Sequence, residues 1–267
     1  MNEALGYFSA LIIGLVLGLI GGGGSILTVP VLVYLLGINP VIATAYSLFI
    51  VGTTSAFGTI INLKKGLVEI KTGIKFAIPS LVAIYLTRKF LVHLLPEKLF
   101  TTGEFTVTKD FFLMTLFAIV MMLASFSMIY DKKIKTDNSL KPNIYITFLQ
   151  MFIVGTIIGL IGAGGGFLFI PALIYIANLS IKKAVGTSIF IIAINSLIGF
   201  SGDICNINPD WSFLLIFTLI SIFGIFVGIY VNKFINEKSL KKAFGWFVLF
   251  MSLFILAKEI FFNYYKT

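Results

Sequence analysis

Residues 14–30 read GLVLGLIGGGGSILTVP, and residues 155–171 read GTIIGLIGAGGGFLFIP. A shift of 141 residues lays Gly14–Gly58 over Gly155–Gly199 without a gap, and 17 of the 45 positions are identical. The identities include Gly18/Gly159, Gly21/Gly162, Gly23/Gly164, Gly24/Gly165, Pro30/Pro171, Tyr34/Tyr175, Ser47/Ser188, Phe49/Phe190, Ser55/Ser196 and Gly58/Gly199. Apolar composition produces chance matches, but it does not put a glycine cluster, a proline and two serines in register. The chain is therefore an internal repeat.

The repeated unit belongs in a membrane. Of 267 residues, 58% are hydrophobic and 12% charged, with a mean hydropathy of +1.05. A soluble domain of this length must turn much of its surface to water and has no place for so much apolar side chain. Apolar segments fall at about 6–20, 26–36, 41–62, 74–95, 111–130, 143–161, 167–178, 184–200, 212–231 and 243–262. Most approach the ~20 residues a spanning helix needs. The second and seventh do not: twelve helical residues reach about 18 Å, against a hydrocarbon core of ~30 Å. Both follow a glycine cluster, so they read as half-helices of broken or re-entrant elements. The expected fold is all-α and polytopic, with repeats at 1–131 and 132–267 of about five helical segments each. The start, Met1-Asn2-Glu3, lacks the basic region of a cleaved signal peptide, so the first segment is expected to be retained.

Five segments per half imply opposite insertion of the two halves, and the lysines support it. Lys64, Lys65, Lys71 and Lys75 follow the third segment, whereas the corresponding loop near 201–211 carries Asp203 and Asp210. Lys182 and Lys183 precede the eighth segment, whose counterpart loop at 37–40 is uncharged. With Lys132, Lys133, Lys135 and Lys141 in the linker, and Lys233, Lys238, Lys241 and Lys242 before the last segment, 14 lysines fall on one side. That side is cytoplasmic by the positive-inside rule. The net charge of +9 thus reports topology, and nucleic acid is not an expected partner. Arg88 and Lys89 fall in the other half of segment four and are expected to snorkel to the outer interface.

The clusters Gly21-Gly22-Gly23-Gly24-Ser25 and Gly162-Ala163-Gly164-Gly165-Gly166 are the candidate substrate site. Each glycine in a helix interior costs about 1 kcal/mol, so four in five positions argue for a break. A helix starting after the break turns free N–H groups and the positive end of its dipole toward an anion. Two such ends would hold a small anion without buried lysine or arginine. Ser47, Ser188 and Asn195, on the third and eighth segments, supply further hydrogen-bonding groups. Thr44, Thr53, Thr54, Ser55, Thr187 and Ser196 follow as weaker candidates, and Asn62 and Asp203 as a gate or cap. Gly14/Gly18, Gly155/Gly159 and Gly224/Gly228 are spaced for close helix packing. His93 is expected at the interface. No G-x-G-x-x-G or G-K-[ST] motif is present.

The G-x-x-x-G-x-x-G-x-G-G run followed by a proline, at Gly14–Pro30 and Gly155–Pro171, resembles the sulfite exporter TauE/SafE family, over essentially the whole chain. The resemblance implies a multi-pass cell-membrane permease for small sulfur-containing anions such as sulfite or organosulfonates. Alternating access between the repeats is the expected mechanism, with an anion channel as the alternative. An intramembrane enzyme is disfavoured by one histidine, one cysteine and few buried acids. The expected partners are a small anion and the lipid bilayer, with room for a homo-oligomer; no cofactor is implied.

Overall fold

In lipid every backbone polar group must be satisfied within the protein, so an apolar chain of this kind folds as helices. The computed structural model describes residues 2–102, 105–129, 144–235 and 237–265. The repeat boundary at 131/132 and the linker lysines Lys132, Lys133, Lys135 and Lys141 lie outside the described residues. Helix α1 (Asn2–Ile20) runs into a 3-10 stretch (Gly21–Leu27), then α2 (Thr28–Pro30) and a π turn (Val31–Leu35). Helix α3 (Pro40–Lys64) follows, then α4 (Ile70–Leu86), which continues through a π turn (Thr87–Leu91) into α5 (Val92–Leu94). A hairpin, β1 (Lys98–Thr102) and β2 (Phe105–Thr108), pairs antiparallel with Thr102 opposite Phe105. The apolar-segment reading carries no strand there. Helix α6 (Lys109–Ile129) completes the first half. The second half is α7 (Ile144–Ile161), α8 (Gly166–Tyr175), α9 (Ile181–Asp203), α10 (Trp211–Val231) and α11 (Glu237–Tyr265).

Each of the ten predicted apolar segments is mostly helical over its described residues, and both short ones lie where the glycine clusters put them. Six helical stretches are long and apolar enough to cross a bilayer: Pro40–Lys64, Ile70–Leu94, Lys109–Phe126, Ile181–Asp203, Trp211–Phe234 and Lys242–Phe261. Leu5–Ile20, Gly24–Leu35 and Tyr145–Ile161 are shorter. Local signals set the helix starts. Asn39 Oδ1 accepts from Val41 N at 2.9 Å ahead of Pro40, and Asp210 Oδ1 accepts from Phe213 N at 3.1 Å. Large apolar side chains such as Phe8, Phe223 and Phe250 face outward, which suits a lipid-facing exterior.

Packing respects the repeat. Helix α1 packs on α10, and its counterpart α7 on α4; α4 packs on α9, and α10 on α3. The glycines expected at helix contacts are there. A Cβ on Gly14 would lie 2.0 Å from Ser221 O, and one on Gly155 2.5 Å from Ser80 O, a pair of contacts related by the 141-residue shift. Gly18 and Gly228 likewise bring the α1 and α10 backbones together. Helices α3 and α9 pack antiparallel, with Leu48 against Gly199 and Ile189 against Gly58. The loops repeat the pattern. Glu69 N donates to Thr187 Oγ1 at 3.0 Å, and Asp210 N, its counterpart, to the Tyr46 hydroxyl at 2.7 Å. Near the chain end Tyr34 donates to Glu259 at 2.7 Å, tying the short helical segment of the first half to α11.

Candidate substrate site at the glycine breaks

The two breaks meet at the centre of the α3/α9 core. A Cβ on Gly22 would lie 2.2 Å from Gly166 Cα, and one on Gly166 would lie 2.1 Å from Gly22 Cα, so backbone touches backbone. Only glycine permits so close an approach. Gly21 packs on Val185 and Gly162 on Thr44, another pair related by the repeat. Gly24 folds back on Leu17 and Gly165 on Ile158, again equivalent positions. Gly21, Gly162, Gly164 and Gly165 have φ of +71°, +71°, +66° and +71°, a left-handed conformation that costs a side-chain-bearing residue about 1–2 kcal/mol.

The halves differ at the break. Gly21–Leu27, which includes Gly23, winds into 3-10 turns, and Ser25 Oγ donates back to Gly22 O at 2.8 Å. In the second half the chain is unwound from Gly162 to Gly165, and α8 starts at Gly166 behind a left-handed Gly165. Ten residues make α8 about 15 Å long, a half-helix. The clearer free helix end therefore belongs to the second repeat.

On α2, α3 and α9, the helices that carry or pack on the breaks, are buried polar atoms without hydrogen-bond partners among the described residues: the hydroxyls of Thr28, Ser47, Thr54, Ser55 and Ser196, and Asn195 Oδ1. Each such group costs about 1–3 kcal/mol when left unpaired. Ser196 Oγ lies 3.2 Å from where a Cβ on Gly164 would stand, which places it at the second break. Asn195 Nδ2 donates to Ser80 Oγ at 2.7 Å. Ser188 is different. It is buried, but its hydroxyl donates to Val185 O at 2.8 Å, one turn back in its own helix. Ser47, Asn195 and Ser196 thus offer unpaired groups, whereas Ser25 and Ser188 are already engaged.

Two sequence expectations are corrected at one end of this core. Arg88 does not snorkel: it is 0% exposed, and Asp203 is 1% exposed. Arg88 Nε donates to Asp203 Oδ2 at 2.6 Å, Nη1 donates to Thr44 Oγ1 at 3.1 Å and to Gly159 O at 3.2 Å, and Nη2 lies 2.5 Å from Asp203 Oδ2. The core therefore does hold a buried arginine. Burial is possible because a carboxylate, a hydroxyl and the carbonyl end of α7 surround the guanidinium. Arg88 sits within the π turn of the α4 stretch, an irregularity that recurs at functional sites. Lys89, the next residue, is exposed and lies over the Tyr85 ring at 5.4 Å. His93 Nδ1 lies 2.8 Å from Arg88 O. The signal for Arg88 was its position inside the apolar segment at 74–95, where a charge marks function by default.

Comparison with known proteins fits this architecture. A profile of the sulfite exporter TauE/SafE family matches residues 7–255. The chain belongs to the sulfite exporter TauE/SafE family. It is 28% identical over 259 residues to the probable membrane transporter protein YunE of Bacillus subtilis, covering 86% of this chain and 88% of the relative. It is 31% identical over 185 residues to the probable membrane transporter protein YjnA of the same organism, covering 67% and 70%. Over 110 residues it is 39% identical to the probable membrane transporter protein MJ0441 of Methanocaldococcus jannaschii, covering 39% and 41%. No solved structure matches the chain. This TauE/SafE protein is thus a multi-pass membrane transporter and not an enzyme.

Proposed function

We propose that the protein is a secondary transporter that exports small sulfur-containing anions, such as sulfite or organosulfonates, by alternating access between two inverted repeats, 1–131 and 132–267. The observation that carries this reading is the contact of Gly22 with Gly166, where the breaks of the two halves meet amid buried, unpaired polar groups. The antiparallel packing of the equivalent helices α3 and α9 supports opposite insertion of the halves.

An anion reaching this point has to part Gly22 from Gly166. The hydroxyls of Ser47 and Ser196 then donate to its oxygens, as do the backbone N–H groups of the buried Gly164, Gly165 and Gly166. Gly21, Gly22, Gly23, Gly24, Ser25 and Gly162 form the remaining backbone wall, and Ser188 keeps α9 in place from beside it. A 180° turn of the Asn195 amide exchanges its two ends, so that its NH₂ faces the anion, and the Ser80 hydroxyl turns from Phe76 O to donate to the Asn195 oxygen. The Arg88–Asp203 pair closes the core on the side of Thr44 and Gly159. Substrate leaves on that side only when the pair separates.

Thermal stability of the purified protein with sulfite, sulfoacetate, taurine, thiosulfate, phosphate and chloride tests the substrate class. A ligand that binds the folded state alone raises the melting temperature. A rise confined to sulfur oxyanions is the expected result, and no shift with any of them removes the sulfur-anion assignment.

A further inference from the structure

At the end of α3 a cavity of about 250 Å³ is lined by Lys65, Lys182, Lys233, Asn62, Asn232 and the α1 backbone at Gly18. No carboxylate lines it. Its place in the fold is given by the repeat. Shifted by 141 residues, Gly18 becomes Gly159, Asn62 becomes Asp203, and Val185 and Ile229 become Thr44 and Arg88. Those counterparts are the four residues that close around the buried ion pair at the other end. The same position is therefore plugged by its own acid and base in one half. In the other half Asn62 and Ile229 stand in their place, and the position is hollow with lysines at its rim.

Lys65 follows α3 and Lys233 follows α10, so both stand at helix C-termini, where the dipole welcomes a cation. Asn232 Nδ2 already covers the carbonyl of Leu19, at the end of α1, so the lysines are not needed there. Glu69, the nearby carboxylate, is paired with Lys183 at 2.5 Å, and neither of these residues lines the cavity. Burial, and then the charge of Lys233, hold the Lys65 ammonium below the ordinary lysine range. A cleft lined by cations and by no acid raises the local concentration of anions.

We propose that this cavity binds one small oxyanion between Lys65 and Lys233, and that it is the mouth through which substrate reaches the glycine breaks from the lysine-rich side. This rests on the anion-transport reading above. Free anion and lipid phosphate share the recognising chemistry, and the proposal commits to the free anion.

The test compares wild type with the double variant Lys65→Gln/Lys233→Gln. Binding of radiolabelled sulfite is measured in detergent, flux in proteoliposomes, and adsorption to vesicles with and without phosphatidylglycerol. The expected result is a Kd for sulfite raised tenfold or more and a matching rise in KM, with kcat within about twofold, the pattern of lost binding rather than lost chemistry. Lys65→Arg/Lys233→Arg restores affinity, and Lys98→Gln, on the β hairpin, leaves it unchanged. An unchanged sulfite Kd in the glutamine variant overturns the proposal. If that variant also loses its preference for phosphatidylglycerol vesicles, the cavity is a headgroup site. Wild-type protein that binds and transports sulfite keeps the transport reading intact in either case. Wild-type protein that neither binds nor transports any oxyanion defeats both.

Discussion

Arg88 Nε lies 2.6 Å from Asp203 Oδ2, with both side chains closed off from solvent and from lipid. The two residues are 115 positions apart and come from different halves of the chain, so the pair bolts α4 to α9. Removing one partner strands a buried charge, at a cost of about 3–5 kcal/mol. Arg88→Ala and Asp203→Ala are each expected to lower the midpoint of unfolding in detergent strongly. Arg88→Met/Asp203→Leu is expected to recover most of the loss, because an apolar pair of similar volume needs no compensation. Single variants as stable as wild type would mean that water reaches the pair.

Gly22 and Gly37 separate close approach from backbone strain. A methyl on Gly22 meets the Gly166 backbone at 2.2 Å, which no rotamer change relieves. Gly37 has φ of +70° with nothing within 4 Å, so Gly37→Ala carries only the left-handed penalty, about 1–2 kcal/mol. Gly22→Ala is expected to abolish flux while Gly37→Ala retains it. Transport assays on both variants, normalised to inserted protein, check this.

Ser196 and Ser188 separate ligand contact from local structure. Ser196→Ala deletes a buried hydroxyl that has no partner among the described residues, so stability should hold or rise by about 1 kcal/mol while flux falls roughly tenfold. Ser188→Ala deletes a back-bond to Val185 O and should change both only slightly. Melting curves and initial rates on the two variants decide it. Equal losses of stability without loss of rate would make Ser196 a packing residue.

Native Cys205, exposed in the turn after α9, reports on topology without any substitution. In a Cys205→Ser background, Lys65→Cys is expected to label from the opposite face of the membrane, because Lys65 and Cys205 follow equivalent helices. Labelling of both from the same face would contradict inverted insertion.

The architecture was legible because glycine and proline act locally. The register of Gly21–Gly24 with Gly162–Gly165 located both half-helices, and the GxxxG spacings located the α1/α10 and α7/α4 contacts. What was hidden is long-range. That Arg88 finds Asp203, and that Asn62 leaves its counterpart position hollow, depends on α4 meeting α9, which no local window contains. The serines divide the same way. Ser47 and Ser188 are identical by register, yet a back-bond engages only the second. The hairpin at Lys98–Thr108 escaped because its residues carry too little apolar periodicity to stand out between long spans.

Efflux of sulfite from proteoliposomes, measured for wild type and for Gly166→Leu inserted to the same level, tests the central reading most directly. Gly166 carries the backbone contact with Gly22, and a leucine there would wedge the breaks apart. The expected result is saturable sulfite flux in the wild type that is lost in the variant. Wild-type vesicles no leakier to sulfite than empty ones, or equal flux in the two proteins, would contradict it.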